Sequence, residues 1–361
     1  MLAGSQHWGF SGAPGLPPRV LAHVGLRPLI DYPLEWVWAA GARDIDICVN
    51  ASVSTVREHL GDQYENLAVR YHTDLLPRGA AGCVKDAAAY SDADTFLIVE
   101  ASVIPRIKAL RLLDAHVRSG ALMTVVTTSA DDSPDDLAPA AMYVVERRAL
   151  ECIRPQGFQD IKENLIPQLF REGAQVITYA APDYCPRVTN VESYLAVNQW
   201  LVEQYAAEAA GAADPAAPGH VMADASAAID ANALILGPVL IGPRVRVAAG
   251  ATIVGPTVVG ADTTIASGAL VSRSVVGRRS TIERQASVHA AVVADGARVT
   301  TDSRLFGELA AAADHRGSWL RRLFGARPAT VEPGTAPARP PMDLPRIPGS
   351  LAGDGVRVEF L

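Results

Sequence analysis

The chain lacks a signal-peptide pattern and any uninterrupted apolar run near the ~18 residues that a membrane-spanning helix needs. A soluble, cytoplasmic protein without a transmembrane segment is expected. Cysteine is sparse: Cys48, Cys83, Cys152 and Cys185 lie far apart and form neither a CxxC pair nor a zinc-ligand spacing. Free, buried thiols are therefore expected in place of disulfides, and an oxidising compartment is not indicated. Positive charge is also in short supply. With 32 Lys and Arg against 39 Asp and Glu, the formal net charge is −7. No basic patch stands out before residue 316, which argues against a nucleic-acid backbone as a partner.

What is present is a repeat. A β-branched aliphatic residue returns at every sixth position: Ile229, Ile235, Ile241, Val247, Ile253, Val259, Ile265 and Val271. Small or β-branched residues stand four positions after each, such as Ala233, Val245, Ala251 and Ala269. The phase slips by one, resumes at Val276, Ile282 and Val288, slips again, and ends with Val293 and Val299. An α-helix needs apolar residues at i, i+3, i+4 and i+7, and a hairpin needs alternation, so neither fits a period of six. Each hexad supplies one flat face of a triangular coil, and the segment from about Ile229 to Thr300 is expected to form a left-handed parallel β-helix. At three hexads per coil, about twelve hexads give about four coils, a stub roughly 20 Å tall. Its open ends call for a covering domain or subunit.

The 361 residues leave room for a second domain ahead of the repeat. Strands are expected at Ile45–Val49, Leu67–Tyr71, Thr95–Val99, Leu122–Thr127, Met142–Val145 and Gln175–Tyr179. Between them helices are expected around Leu34–Ala40, Thr55–Leu60, Ala81–Ala89, Pro105–Arg118, Asp160–Arg171 and Val191–Ala210. Such alternation predicts an α/β fold with a parallel sheet covered on both faces. The expected organisation is an α/β domain over 1–210, a linker over 211–222, the β-helix over 223–300, and a short helix with a proline-rich, disordered tail over 301–361. Within the tail, Trp319 to Phe324 is a small basic amphipathic patch with two readings: docking onto the folded domains, or contact with a membrane surface or partner.

Ordered segments then carry a resemblance. They are Leu2-Ala3-Gly4, Val24 to Tyr32, Pro77-Arg78-Gly79-Ala80-Ala81-Gly82, and His116 with Ser119-Gly120-Ala121. Asp160 to Pro167 and Glu192-Ser193-Tyr194-Leu195 complete the set. Their order and spacing resemble the sugar-phosphate nucleotidylyltransferases, in particular the mannose-1-phosphate guanylyltransferase and glucose-1-phosphate thymidylyltransferase-like group. The resemblance covers about residues 1–300. It implies a Rossmann-like nucleotidyltransferase domain with a parallel or mixed sheet, a nucleoside triphosphate and sugar 1-phosphate as substrates, and pyrophosphate as leaving group. That chemistry needs cations on the phosphates and a divalent metal held by carboxylates. The nucleotide-binding candidates carried over are Ala3, Gly4, Arg19, Arg78, Gly79 and Gly82, with Glu100 as a metal candidate and Mg²⁺ as the cofactor if the chain is active.

Departures from the family pattern fall on its chemistry. The phosphate loop reads Gly4-Ser5-Gln6-His7-Trp8-Gly9-Phe10, without the family's arginine or its middle glycine. Arg19 stands where the family has a phosphate-binding lysine, and the two are not equivalent as ligands. Glu100-Ala101-Ser102 replaces Asn-Gly-Asp, which removes the metal carboxylate and leaves Glu100 two positions off. At the second metal carboxylate the chain offers Tyr184 to Asn190, where Arg187 reverses the charge. Between Thr128 and Ala141 only the acidic stretch Ser129 to Ala140 intervenes, so the family's sugar-side lysine is missing. Family members also carry residues ahead of Leu-Ala-Gly that form the central first strand. Here either the true start lies upstream of Met1 or the sheet lacks most of that strand.

No residue is assigned a catalytic role. The leading expectation is a nucleotidylyltransferase-like protein of nucleotide-sugar or surface-polysaccharide metabolism that has lost pyrophosphorylase activity and serves as a regulatory or scaffold subunit. It would form a homo- or hetero-oligomer through the β-helix, with an active relative as one such partner and a nucleotide or nucleotide sugar as a ligand. The alternative is an active synthase with a rearranged site using Arg19, Arg78 and Glu100. A third reading, acyl transfer, rests on His289 within the repeat, although no protruding loop interrupts Ile229–Val276.

Overall fold

The computed structural model describes residues 1–4, 8, 16–49, 53–73, 78–129, 137–210, 221–307, 309–310 and 358–360. Most of the phosphate-loop segment, the acidic stretch over 130–136, the linker over 211–220 and the basic patch in the tail lie outside the described residues. Two compact units emerge, one centred on Pro17–Val197 and the other on Asn198–Ile347.

In the first unit β1 (His23–Val24) and β2 (Arg27–Pro28) form a small hairpin ahead of α1 (Asp31–Ala39). There follow β3 (Asp44–Val49), α2 (Val53–Leu60), β4 (Gln63–Tyr64), β5 (Leu67–Thr73), α3 (Gly79–Ala88), β6 (Thr95–Val99) and α4 (Ala109–Ser119). Then come β7 (Met123–Thr128), β8 (Ala138–Glu146), α5 (Arg147–Glu151), α6 (Ile166–Arg171) and β9 (Val176–Ala180), and α7 (Val191–Ala210) runs on past Val197, where the unit ends. All six expected strands and all six expected helices have counterparts, with β1, β2, β4 and α5 in addition. Helix α4 begins at Ala109 because Lys108 is extended, and it stops at Gly120, whose φ of 66° is the left-handed conformation glycine tolerates best. Its buried residues, Ala109, Leu112, Ala115 and His116, recur at helical spacing and face the core.

The sheets are mixed, one of the two arrangements that the resemblance implies, while strand and helix alternation alone pointed to a parallel one. One sheet runs in the order Val358–Phe360, β9, β7, β8, β6, and a second in the order β3, β5, β4. Strand β8 lies antiparallel to both β6 and β7. The physical reason is loop length: a parallel return needs a crossover of about a dozen or more residues, and only residues 129–137 separate β7 from β8. The strand at Val358–Phe360, antiparallel to β9, also departs from the wholly disordered tail expected from the proline-rich composition. Apolar layers cover the sheets on two faces, one including Leu34, Ile47, Val99 and Leu112, the other Ala81, Met123, Tyr143, Ile161 and Leu169.

The second unit contains the parallel β-helix. Its short strands stack into three sheets of six, five and five strands. The hexad residues Ile241, Ile253, Val259, Ile265, Val271, Ile282 and Val288 are each at most 1% exposed and fill the interior. Early coils repeat at a sequence separation of 18, as in the Arg244 to Asp262 contact, and later ones at 17, as in Ser272 to His289. The lost residue falls at the corner between Val271 and Val276, which is the phase slip visible in the sequence. Corner residues stack in the left-handed conformation, for instance Arg244, Asp262, Arg279 and Gly296 along one edge. The ladder continues past Thr300 through Arg304–Phe306 and Leu309–Ala310, so it is about a coil longer than the expected four. Leu305 stands six positions after Val299 and pairs in register with Val288, but it is not β-branched, so a search for Ile and Val at every sixth position passes over it.

Candidate functional site

Strand β6 ends at Val99, and the chain places Glu100 at its carboxyl end. There Leu2 bridges Glu100 on one side and Cys48 on the other, both in parallel sense. Ala3 is buried at this seam, its N–H donating to the Cys48 carbonyl at 2.8 Å. Gly4 follows, with no described atom within 4 Å of the position where a Cβ would stand. Carboxyl ends of strands at such a seam are where α/β sheets place ligands.

Glu100 does not stand free. Arg187 Nη2 donates to Glu100 Oε2 at 2.5 Å, and Ser102 Oγ donates to the same oxygen at 3.3 Å. Both side chains of the ion pair are 27% exposed. Backbone bonds fix the arginine's position: Val103 and Arg187 form an antiparallel bridge, the Ile104 N–H donates to the Pro186 carbonyl, and the Val188 N–H donates to the Ser102 carbonyl. The segment with the charge reversal is thus stitched to the residues that follow Glu100.

Arg19 joins the same electrostatic cluster. It is 6% exposed, and its Nη1 donates to the Thr189 carbonyl at 2.8 Å. Burial lowers its pKa; Glu100 opposes that shift and Arg187 adds to it. Tyr143 sits nearby, its phenol pKa raised by burial and by Glu100. Two guanidinium groups around one carboxylate give the cluster a surplus of positive charge, suited to an anion and hostile to a cation.

The donor set does not fit a magnesium ion, which wants several oxygen ligands, usually more than one anionic. Glu100, the carboxylate at the strand end, is already paired with Arg187. Among the described residues no group of three His, Cys, Asp or Glu side chains is placed to hold a metal ion.

The remaining candidates bond within α3 and its surroundings. Arg78 makes a two-pronged pair with Asp86, at 2.9 and 3.0 Å, and donates to the Pro155 carbonyl at 2.7 Å. Gly79 has φ +73°, and a Cβ there would lie 2.4 Å from the Gln159 carbonyl oxygen. A Cβ on Gly82 would meet Arg78 Cβ at 2.9 Å. Close packing therefore accounts for both glycines. Asp160 accepts the N–H groups of Lys162 and Glu163 at 2.7 and 3.1 Å and caps the turn that leads into α6.

Arg187 is the residue whose role the sequence only half disclosed. Its charge reversal was visible, but its partner lies 87 positions away, and no local pattern connects the two. On the β-helix, His289 Nδ1 lies 2.6 Å from Ser272 Oγ, and its ring packs against Phe306 at 5.8 Å.

Comparison with known proteins agrees with this architecture. Residues 13–136 match the family model of the Nucleotidyl transferase domain, and residues 217–311 match that of the GMPPB C-terminal domain. A mannose-1-phosphate guanyltransferase of Candida albicans is 29% identical over 121 residues, 32% of this chain and 33% of that protein. A glucose-1-phosphate thymidylyltransferase of Streptomyces antibioticus is 25% identical over 256 residues, 62% of this chain and 72% of that protein. The crystal structure of HddC from Yersinia pseudotuberculosis aligns with 55% of this chain and 97% of its own at 14% identity and a TM-score of 0.47. The chain spans about a third of the length of the guanyltransferases it matches. These matches affiliate it with the nucleotidyltransferases and give it sugar-phosphate nucleotidyltransferase homologues.

Proposed function

We propose that this chain is a nucleotidylyltransferase-like protein of nucleotide-sugar or surface-polysaccharide metabolism that no longer carries out the pyrophosphorylase reaction and acts in the cytoplasm as a regulatory or scaffold subunit. The observation that carries this reading is the Glu100–Arg187 pair. It puts a cation against the carboxylate nearest the family's metal position, so metal-assisted displacement at a triphosphate loses its electrostatic support. The positive surplus around Arg19 and Arg187 still suits a phosphorylated ligand, with a nucleotide or nucleotide sugar as the occupant.

The β-helix supports the subunit role. On one of its faces Leu234 stacks under Thr252 and Leu270, and Leu236 under Val254, Ser272, His289 and Phe306. Leu234, Leu236, Leu270 and Phe306 are 50%, 40%, 38% and 56% exposed. A column with exposed leucines at one end and Phe306 at the other, interrupted by Ser272 and His289, is suited to association. The alternative, an active synthase built on Arg19, Arg78 and Glu100, would have to break three existing bonds, to the Thr189 carbonyl, Asp86 and Arg187.

The subunit role is tested by affinity isolation of the tagged full chain from its native host, with mass-spectrometric identification of what accompanies it. An intact nucleotidylyltransferase, released by Leu236→Lys together with Phe306→Lys, is the expected result. Isolation of the chain as a lone monomer would overturn the role.

A further inference from the structure

One face of the β-helix is built from the strands Leu234–Leu236, Thr252–Val254, Leu270–Ser272, Ser287–His289 and Arg304–Phe306. Each strand turns its middle residue inward, as the burial of Ile253 and Val271 shows, and its two end residues outward. Among the outward residues of these strands only Arg304 carries a fixed charge. The adjacent face instead bears Arg246 and Arg298. Leu234 and Leu236 at one end of the face and Phe306 at the other are exposed. A surface of this composition mates with an uncharged, apolar one, because a charged group pressed against it would lose its water without gaining a partner.

His289 is the residue of this face whose charge can change near neutrality. It stands one rung from Ser272 and one rung from Phe306, about 4.8 Å each way. Its backbone is held from both sides: the Gly307 N–H donates to its carbonyl at 3.1 Å, and the Ala290 N–H that follows it donates to the Ser272 carbonyl at 3.0 Å. The ring is held too, with Nδ1 2.6 Å from Ser272 Oγ and the imidazole packed on the Phe306 ring. It therefore lies along the face instead of swinging out into water.

The charged groups on the neighbouring strands are of one sign. Arg304 stands outward on the strand after His289, and Arg273 directly follows Ser272 on the strand before it. Arg273 carries the charge felt by Glu203 of α7. No carboxylate stands on any of these three strands. A proton on His289 thus adds a positive charge without a counter-ion in the middle of the column.

We infer, building on the subunit role proposed above, that this face holds an apolar surface of the partner nucleotidylyltransferase while His289 is neutral and releases it when His289 is protonated. Contact strips water from the imidazole, and an unpaired charge is far costlier to bury than a neutral ring. A fall in pH thereby loosens the assembly without rearranging the coil.

The test uses the tagged full chain, bound to its partner in an extract of the native host at pH 7.5 and then washed at pH 7.5 or pH 5.5 at equal ionic strength. Quantitative mass spectrometry measures the nucleotidylyltransferase retained, which should fall at least tenfold at pH 5.5. His289→Gln keeps a polar side chain beside Ser272 but takes no proton, and it should retain the partner equally at the two pH values. His289→Lys fixes the charge and should retain at least tenfold less at pH 7.5. Equal retention by the parent at both pH values, an acid loss that persists in His289→Gln, or full retention by His289→Lys would overturn the inference and leave the subunit role standing. Absence of any nucleotidylyltransferase from the parent at pH 7.5 would overturn both.

Discussion

The β-helix and the α/β unit encode their structures in opposite ways. In the helix each interior position repeats the one a coil below, so Ile253 stands on Ile235 and beneath Val271, and a change at one corner is absorbed by the next. Arginine, aspartate, glutamine and glycine all serve as left-handed corner residues. In the α/β unit single residues carry single jobs: Arg187 neutralises Glu100, and Gly79 alone leaves room for the Gln159 carbonyl. Redundant positions keep a fold through substitution, whereas a site made of unique residues changes its chemistry with each one.

The largest expected effect breaks the redundancy of the helix. Ile265 is fully buried, and Ile265→Asp should cost more than about 4 kcal/mol in urea denaturation, since a carboxylate has no partner there. A loss under ~1 kcal/mol would mean that the coil interior tolerates charge and is not a packed core.

Gly79→Ala tests the uniqueness of the α/β unit. The added Cβ would sit 2.4 Å from the Gln159 oxygen at φ +73°, so a loss of about 3 kcal/mol is expected. Alanine at the corner Gly296, also at positive φ (+69°) but with no described atom within 4 Å of its Cβ position, should cost about 1 kcal/mol. Equal losses at the two glycines would erase the contrast between the regions.

A smaller effect depends on pH. Burial pushes the Cys185 thiol from 9.0 to about 11, so the folded chain holds this proton more tightly than the unfolded one. Stability is then fully present below pH 9, falls as the pH climbs to about 11, and levels off above it. The loss is on the order of 2 kcal/mol. Denaturation midpoints of the parent and Cys185→Ala at pH 8 and pH 10.5 check the sign, and the variant should show the shallower decline.

The smallest effect belongs to Arg187→Met, which should cost about 1 kcal/mol in the same denaturation assay because the pair it breaks is partly solvated. Terbium luminescence, as a probe of hard-cation binding, should rise in this variant as Glu100 is released. An unchanged signal would show that Arg187 is not what keeps cations away.

The two regions also differed in how much of them could be read from sequence. Period six located the β-helix from Ile229 onward, and alternation located every major strand of the α/β unit. What escaped was non-local. The antiparallel placement of β8 depends on the length of the connection from Thr128 to Ala138. At the site, sequence picked out Arg19 and Glu100 and noted the charge at Arg187, but it could not place Arg187 against Glu100. Arg78, taken as a phosphate contact, bonds to Asp86 and the Pro155 carbonyl.

The central claim is that the Glu100–Arg187 pair has replaced the metal-assisted chemistry. Its most direct test is pyrophosphate release by the purified full chain supplied with each nucleoside triphosphate, Mg²⁺ and a panel of sugar 1-phosphates. Release no greater than a protein-free blank is predicted, and release that disappears with Glu100→Ala would contradict it.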